Sequence, residues 1–208
     1  MLNDGPIIGI QRHRINTDGQ GVTTLVAFYG CTLRCKYCIN PQCFSENTVC
    51  RVISPDELYE EVSIDNLYFI ATGGGITFGG GEPLLHNSFI QEFCRIAKPE
   101  WKISIETSLN ADTSRLISLA PFINHYFIDI KDLNNNIYQA YTSHDNRQLL
   151  TNLHLLADNI PPERVTIRLP LIPGYNTDND RKASMEKLKE MGFRNFDMFR
   201  YIIKKHEP

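Results

Sequence analysis

The sequence has no long hydrophobic run and little net charge of either sign. No apolar stretch of about 18 residues occurs among its 208 residues, and the N-terminal segment lacks the apolar core of a secretory signal. The formal net charge of -3 gives no reason to expect a nucleic-acid or membrane-surface partner. These absences predict a cytoplasmic protein that binds neither nucleic acid nor membranes, and we expect it to be monomeric.

Complete motifs for phosphate or zinc binding are missing as well. The glycine run at Gly73–Gly81 is not followed by the Gly-Lys-Ser/Thr of a Walker loop. The six histidines are scattered, and no second Cys-x2-Cys pair follows the first cysteine motif. A closed zinc site usually takes four ligands, and this chain offers no complete set. The length is enough for one core, so we predict a single domain over residues 1–208.

Three of the six cysteines, Cys31, Cys35 and Cys38, have the spacing Cys-x3-Cys-x2-Cys. The apolar run Val22–Phe28 before them predicts a buried strand, so the thiols fall in the loop that follows it. Clustered cysteines in a chain without a signal segment are typical of metal ligands. Soft thiolates suit an iron–sulfur cluster or zinc, and three of them would leave one iron of a four-iron cluster free.

The other three cysteines have a simpler interpretation. Cys94 falls on the apolar face of a predicted helix and is expected in the core. Cys43 and Cys50 follow the cysteine loop closely, so an auxiliary ligand role is the alternative to buried or incidental thiols.

Six glycines surround the short β-type segment Ile76-Thr77-Phe78. Glycine buries no side chain and costs backbone entropy, so such a run is poor packing material. Its purpose is expected to be steric, placing backbone against a ligand. The turn at Asp18-Gly19-Gln20-Gly21 allows a similar close approach.

Strands and helices alternate along the rest of the chain. Ser54, Pro55 and Glu57 predict a capped helix start, and this helix is expected to end near Asn66. Further helices are predicted at Asn87–Ala97, Asn136–Asn159 and Asn179–Met191. Further strands are predicted at Lys102–Thr107, Phe127–Asp132, Arg164–Leu169 and Phe196–Ile203.

Six strand–helix units predict an α/β fold with a parallel sheet. The chain is short for eight units, so a partial (β/α)6 barrel fits its length. Polar groups recur at or just beyond the carboxyl ends of the strands, where α/β barrels carry their active sites. Taken alone, Glu106 and Asp129 also fit surface carboxylates, and Lys131 an exposed lysine.

Several of these motifs, in this order, resemble the radical S-adenosylmethionine (radical SAM) superfamily. GCTLRCKYCINP at 30–41 resembles the cysteine motif of the glycyl-radical-enzyme activating enzymes, the group of pyruvate formate-lyase activase. GGGITFGGGEP at 73–83 resembles their GGGVTxSGGEP, with Gly79 in place of serine. Asp129-x-Lys131 and Arg168-x-Pro170 match two further elements, whereas Glu106-Thr107-Ser108-Leu109 departs from the usual Asp-Thr-x-Gly.

The resemblance implies a radical SAM type barrel that holds a 4Fe-4S cluster and S-adenosylmethionine. The cluster ligands would be Cys31, Cys35 and Cys38, with the free iron on the cofactor. The implied cofactor-binding residues are Tyr37, Cys38, Ile39 and Asn40 beside adenine, Gly80, Gly81 and Glu82 at the methionine amino group, and Thr107, Asp129, Lys131 and Arg168. A monovalent cation held by Glu106, Thr107 and Asp129 is a further implied ligand.

The resemblance also implies an oxidoreductase activity. The enzyme would reductively cleave S-adenosylmethionine to a 5′-deoxyadenosyl radical and remove hydrogen from a glycine of a partner glycyl radical enzyme. A flavodoxin- or ferredoxin-type protein would supply the electron. The alternatives are a radical SAM enzyme that modifies a peptide or small molecule and, more distantly, a non-catalytic iron–sulfur or zinc-binding module.

Overall fold

A single eight-stranded sheet runs through the described part of the chain, residues 4–201 of a computed structural model. The strands are β1 (Gly5–Ile15), β2 (Val22–Phe28), β3 (Arg51–Ile53), β4 (Gly75–Gly80), β5 (Lys102–Thr107), β6 (His125–Asp129), β7 (Val165–Leu171) and β8 (Asn195–Arg200). Their order in the sheet is β3-β1-β2-β4-β5-β6-β7-β8. The strands from β2 to β8 in this order are parallel, whereas β1 is antiparallel to both of its neighbours.

Seven α-helices connect or flank these strands in the same residues. They are α1 (Pro55–Val62), α2 (Asn66–Thr72), α3 (Asn87–Ile96), α4 (Thr113–Leu119), α5 (Asn135–Thr142), α6 (Arg147–Asn159) and α7 (Asp178–Glu190). The strands β4 to β8 are joined to one another through helices α3 to α7, which is the crossover expected between parallel strands. The described residues contain no helix with the length and apolar composition needed to cross a membrane.

The predicted partial barrel is confirmed. Six parallel strands are present, and among the described residues the two outer strands β3 and β8 do not pair with each other. The inner core is rich in aromatic rings: Phe28 stacks on Phe78 at 5.7 Å, and Phe78 meets Phe93 of α3 edge-on at 5.4 Å between ring centres. The sheet is therefore packed against its helices but left open along one side.

The structure divides the helix predicted from Ser54 to about Asn66. The capping box of Ser54 and Glu57 is present, but α1 ends at Val62 and a short 3-10 turn leads into α2. This turn carries Asp65, whose side chain is fully buried and accepts hydrogen bonds from Arg12 at 2.7 and 2.5 Å. The α-helix is interrupted here because the chain turns to place the Asp65 carboxylate against the Arg12 guanidinium of β1.

The helix predicted over Asn136–Asn159 is also two helices. α5 ends at Thr142, and the next residue, Ser143, has a left-handed φ of 66°. The carbonyl groups of Tyr141 and Thr142 accept hydrogen bonds from the amides of Lys36 and Arg34 at 3.1 and 3.0 Å. Helix-end carbonyls have no partner within their own helix, so the break makes them available to the cysteine loop.

Two strands of the sheet were not predicted as such. β1 contains the segment Ile7-Ile8-Gly9-Ile10, but it begins at Gly5 and continues to Ile15 with register irregularities against β2, and β3 is only three residues long. The final strand ends at Arg200 instead of continuing to Ile203, and residues 202 and 203 lie outside the described range.

Gly74 and Gly75 of the run are required by the approach of neighbouring strands. A Cβ atom at Gly75 would lie 2.2 Å from the carbonyl oxygen of Lys102 on β5. We expect Gly75→Ala to lower the free energy of unfolding by about 1–3 kcal/mol or more, because the strand backbones must move apart. Gly9→Ala, where no atom lies within 4 Å of the new methyl group, is the control. Urea unfolding measures both, and equal losses would contradict the assignment.

Candidate functional site

A cavity of about 440 Å³ lies at the carboxyl ends of the parallel strands. This volume is within the range typical of small-molecule sites. The predicted site residues in its wall are Cys31, Cys35, Cys38, Ile39, Asn40, Gly80, Gly81, Glu106, Thr107, Asp129, Lys131 and Arg168. The fold therefore brings together side chains that are up to 137 positions apart in the sequence, from Cys31 to Arg168.

The cysteine loop is fastened to the glycine loop by backbone hydrogen bonds. The amide of Gly81 donates to the carbonyl oxygen of Phe28 at 2.9 Å, and the amide of Glu82 donates to that of Gly30 at 2.8 Å. The side-chain amide of Asn40 adds a bond to the Gly80 carbonyl oxygen at 3.2 Å. These bonds extend the β2–β4 pairing beyond the strands and fix the entry to the cysteine motif.

The end of the glycine run is shaped by this loop pairing. A Cβ atom at Gly81 would lie 2.0 Å from the Gly30 carbonyl oxygen, and one at Gly80 would lie 2.7 Å from Ala27. Glycine is therefore required at these two positions because a larger residue would collide with the chain's own backbone. That a ligand also approaches them stays a prediction, although both glycines line the cavity.

The three thiols of the motif are free and share one cavity wall. Burial raises the pKa of Cys31 to about 12, with a further contribution from Glu82, and burial also raises the pKa of Cys35 and of Cys38. Without a metal, these groups are therefore neutral thiols near pH 7, and a bound metal would have to displace their protons.

A single metal ion has no converged ligand set in residues 4–201. No three Cys, His, Asp or Glu side chains there are arranged to hold one ion. A four-iron cluster does not require ligands that converge on one ion, because each thiolate binds a separate iron.

Glu82 is a structural anchor in this geometry. Its side chain is 1% exposed, and its two carboxylate oxygens accept four hydrogen bonds. Oε1 accepts from the Thr107 hydroxyl at 2.6 Å and the Leu84 amide at 3.2 Å, while Oε2 accepts from the hydroxyl and the amide of Ser108 at 2.6 and 3.0 Å. Burial raises the pKa of Glu82, whereas the four hydrogen-bond donors lower it. The carboxylate thus ties the glycine loop to the end of β5.

Glu106 and Arg168 form an ion pair across the cavity wall. The Arg168 guanidinium lies 2.6 Å from Glu106 Oε1, donates to the Thr17 carbonyl oxygen at 3.1 Å and stacks over Phe127. Burial raises the pKa of Glu106, and the positive charge of Arg168 opposes that shift. The pair holds a carboxylate and a guanidinium in a half-buried site without a large net charge.

Lys131 is a further cation of the cavity wall, 3.6 Å from Asp129. Burial alone lowers the pKa of Lys131, but the negative charge of Asp129 and the ionised forms of Cys35, Tyr201 and Tyr141 raise it above the usual range. Lys131 is therefore charged at neutral pH. The arrangement can attract a ligand carboxylate, because its ammonium group faces the cavity.

Two predicted cofactor residues lie outside the cavity wall. Glu82 has the anchoring role described above, and Tyr37 packs against Tyr141 and Tyr175 with ring centres 6.0 and 5.7 Å away. Their predicted contacts with a cofactor stay predictions. The proposed cation ligands also have other partners, since the Thr107 hydroxyl donates to Glu82 and Glu106 binds Arg168.

The structure adds wall residues that sequence reasoning missed. They come from β1 and the turn after it and from the region of β8, and include Gln11, Arg14, Thr17, Asp197, Phe199 and Tyr201. The turn at Asp18 had been noted for its glycines, and Asp18 pairs there with Arg14. The β1 residues had no clear signal, because their strand is antiparallel and irregular.

The remaining cysteines are not in the wall of this cavity. Cys43 is 2% exposed and its thiol lies 3.7 Å from the Phe28 carbonyl oxygen. Cys94 packs against the core from α3, as its helical position indicated. Cys50 is half-buried next to β3.

The Glu82 anchor is testable by one isosteric change. In Glu82→Gln, either orientation of the new amide turns its NH2 group toward a backbone N–H, that of Leu84 or that of Ser108. We expect the free energy of unfolding to fall by about 1–3 kcal/mol, since a buried donor is left without an acceptor. Urea unfolding measures the change. Glu186→Gln on the exposed face of α7 is the control, and a similar small effect for both variants would refute the anchor role.

Comparison with known proteins gives one family. A family model described as the radical SAM superfamily matches residues 25–188. The pyruvate formate-lyase-activating enzyme of Staphylococcus aureus (strain USA300) is 31% identical over 173 residues, which cover 78% of this chain and 67% of that enzyme. The isethionate sulfite-lyase activating enzyme of Desulfovibrio desulfuricans is 24% identical, with 95% and 83% of the two chains covered.

Solved structures show the same fold. Streptococcus suis SuiB bound to S-adenosylmethionine aligns with a TM-score of 0.66 at 11% identity, over 88% of this chain and 43% of SuiB. A radical SAM methyltransferase from Sphaerobacter thermophilus aligns with a TM-score of 0.60 at 19% identity, over 96% and 67%. At these identities the likeness concerns the fold alone.

Proposed function

Because this chain belongs to the radical SAM superfamily, in the family of the glycyl-radical-enzyme activating enzymes, we propose that it generates a glycyl radical on a partner enzyme. The observation that carries the proposal is the single cavity that combines three free thiols, a glycine loop and the charged strand ends. Curated relatives that activate different lyases support the activating role. Neither relative identifies the partner of this chain.

The residues fit a 4Fe-4S cluster by the chemistry of their donors. Cys31, Cys35 and Cys38 are soft ligands, none is used in a disulfide, and all three face the same cavity. Three thiolates bind three irons, so the fourth iron would remain open toward the cavity. S-adenosylmethionine is the ligand that we propose for this open position.

When bound together, the cluster and S-adenosylmethionine would supply the chemistry, which is one-electron reductive cleavage of the cofactor followed by removal of a hydrogen atom from the substrate. The chain itself binds and orients. Lys131 and Asp129 would hold the charged end of the cofactor, and Arg168 keeps Glu106 in place. Leu25 and Leu33 line the cavity with apolar surface, which would help to exclude water and competing hydrogen donors.

The open side of the barrel supports a macromolecular substrate. β8 is the last strand of the sheet in the described residues, and it borders the cavity with Asp197 and Phe199. Met198 and Phe199 are 40% and 37% exposed. An extended segment from a partner could enter along this edge and bring a glycine Cα into reach of the cavity.

The cluster ligands are tested by anaerobic reconstitution. We expect about four irons and four sulfides per wild-type chain, and loss of this cluster together with S-adenosylmethionine cleavage in Cys35→Ala, because a thiolate ligand is removed. Cys94→Ala, which changes a thiol far from the cavity wall, is the matched control and should keep both. Bound zinc in the wild type, or an intact cluster in Cys35→Ala, would overturn the assignment.

The activating role is tested on the partner. A candidate glycyl radical enzyme is incubated with the reconstituted enzyme, S-adenosylmethionine and a reduced flavodoxin or ferredoxin. We expect a glycyl doublet by electron paramagnetic resonance that is lost when the partner's glycine is replaced by alanine. If deoxyadenosine instead forms in step with a modified peptide or metabolite and no partner acquires a radical, the peptide- or small-molecule-modifying function replaces this one.

A further inference from the structure

Five buried side-chain polar atoms in the described residues have no hydrogen-bond partner. They are Thr32 Oγ1, Arg181 Nε and the hydroxyl groups of Tyr126, Tyr138 and Tyr141, of which that of Tyr141 interacts with the nearby Tyr201 hydroxyl. An unpaired buried donor is costly, so each such group calls for a physical reason. Three of the five are close to one feature: Thr32 lies within the cysteine motif, and Tyr138 and Tyr141 lie on α5, the helix bound to that motif.

The connection between α5 and the cysteine loop is direct. Arg34 and Lys36, the residues on either side of Cys35, donate their amides to the Thr142 and Tyr141 carbonyl oxygens. Tyr138 precedes Tyr141 and Thr142 by about one helical turn, so the three side chains lie on the same face of α5. Its side chain is 1% exposed and is not in the cavity wall, so solvent does not reach the hydroxyl from that side.

The surroundings of the Tyr138 hydroxyl are negatively charged once the cysteines are thiolates. Burial raises the pKa of Tyr138, and the charges of Cys35, Glu82 and Cys31 raise it further. Tyr138 belongs to the buried core against which Cys31 and Cys35 pack, so the sulfurs of these two cysteines are acceptors on its side of the motif. The Glu82 oxygens are already bound by four donors.

We propose that Tyr138 is a positioning and tuning residue whose hydroxyl donates a hydrogen bond to the sulfur shell of the cluster held by the cysteine motif. The acceptor is the thiolate sulfur of Cys31 or Cys35, because Tyr138 lies on the core side of these cysteines and does not line the cavity. The inference rests on the proposed cluster and adds a role for a residue on a different helix.

The direction of its effect follows from charge. One-electron reduction makes the cluster more negative, and a donor to its sulfurs stabilises the more negative state. The Tyr138 hydroxyl therefore raises the reduction potential of the cluster. Removing it lowers the potential and makes the cluster harder to reduce.

The test compares Tyr138→Phe with Tyr126→Phe after anaerobic reconstitution. Tyr126 is a matched control, because it is also a fully buried tyrosine with an unpaired hydroxyl but lies between β6 and helices α4 and α6, away from the cysteine motif. We expect Tyr138→Phe to titrate at a lower midpoint potential than the wild type and Tyr126→Phe to titrate with the wild type. Electron–nuclear double resonance in deuterated buffer should show one exchangeable proton coupling fewer in Tyr138→Phe only.

The outcomes separate the two proposals. A wild-type chain that takes up no iron and sulfide overturns both the cluster and the role of Tyr138. A loaded Tyr138→Phe cluster with the wild-type potential and proton couplings overturns the role of Tyr138 alone. If Tyr138→Phe fails to fold, 3,5-difluorotyrosine at position 138 keeps the shape and makes a stronger donor. The midpoint potential should then rise, and an unchanged potential would overturn the proposal.

Discussion

The site depends on how the cysteine loop is held between two neighbours. On one side Gly81 and Glu82 bond to the backbone that leads into the loop, and on the other side the end of α5 bonds to Arg34 and Lys36. A loop without regular structure is thereby given backbone partners on both edges. The positions of the three thiols follow from these bonds, and so does the need for glycine where the two loops meet.

The buried carboxylates in and beside the cavity are each paired with a cation or with hydrogen-bond donors. Glu82 is satisfied by four donors, Glu106 by Arg168, and Asp129 lies beside Lys131. Unpaired carboxylates at this depth would be costly, because burial disfavours the ionised form. Of the three cations in the wall, Lys131 keeps the freest group, since Arg168 is bound to a carboxylate and a carbonyl oxygen and Arg14 is bound to Asp18 and Gln11. This asymmetry makes Lys131 the better candidate for an anionic ligand.

The sequence predicted the parallel part of the fold better than the rest. β2 and β5 have the predicted bounds, and the strand-end residues meet because parallel strands end at one edge. The breaks at Asp65 and Ser143 were missed because their causes, Arg12 and the cysteine loop, are distant in the sequence. The anchoring of Glu82 was missed for the same reason: its partners after β5 cannot be identified from local spacing.

The unpaired hydroxyls under the loop give a physical link between folding and cofactor. The chain without a cluster carries the cost of each buried donor, about 1–3 kcal/mol. If the cluster sulfurs accept a hydrogen bond from such a donor, cluster binding removes this penalty. The affinity of the chain for the cluster would then include a contribution from α5 as well as from the cysteines. The break after Thr142 is then part of the same arrangement, because it frees the carbonyl groups of the helix end for the cysteine loop, one helical turn after Tyr138.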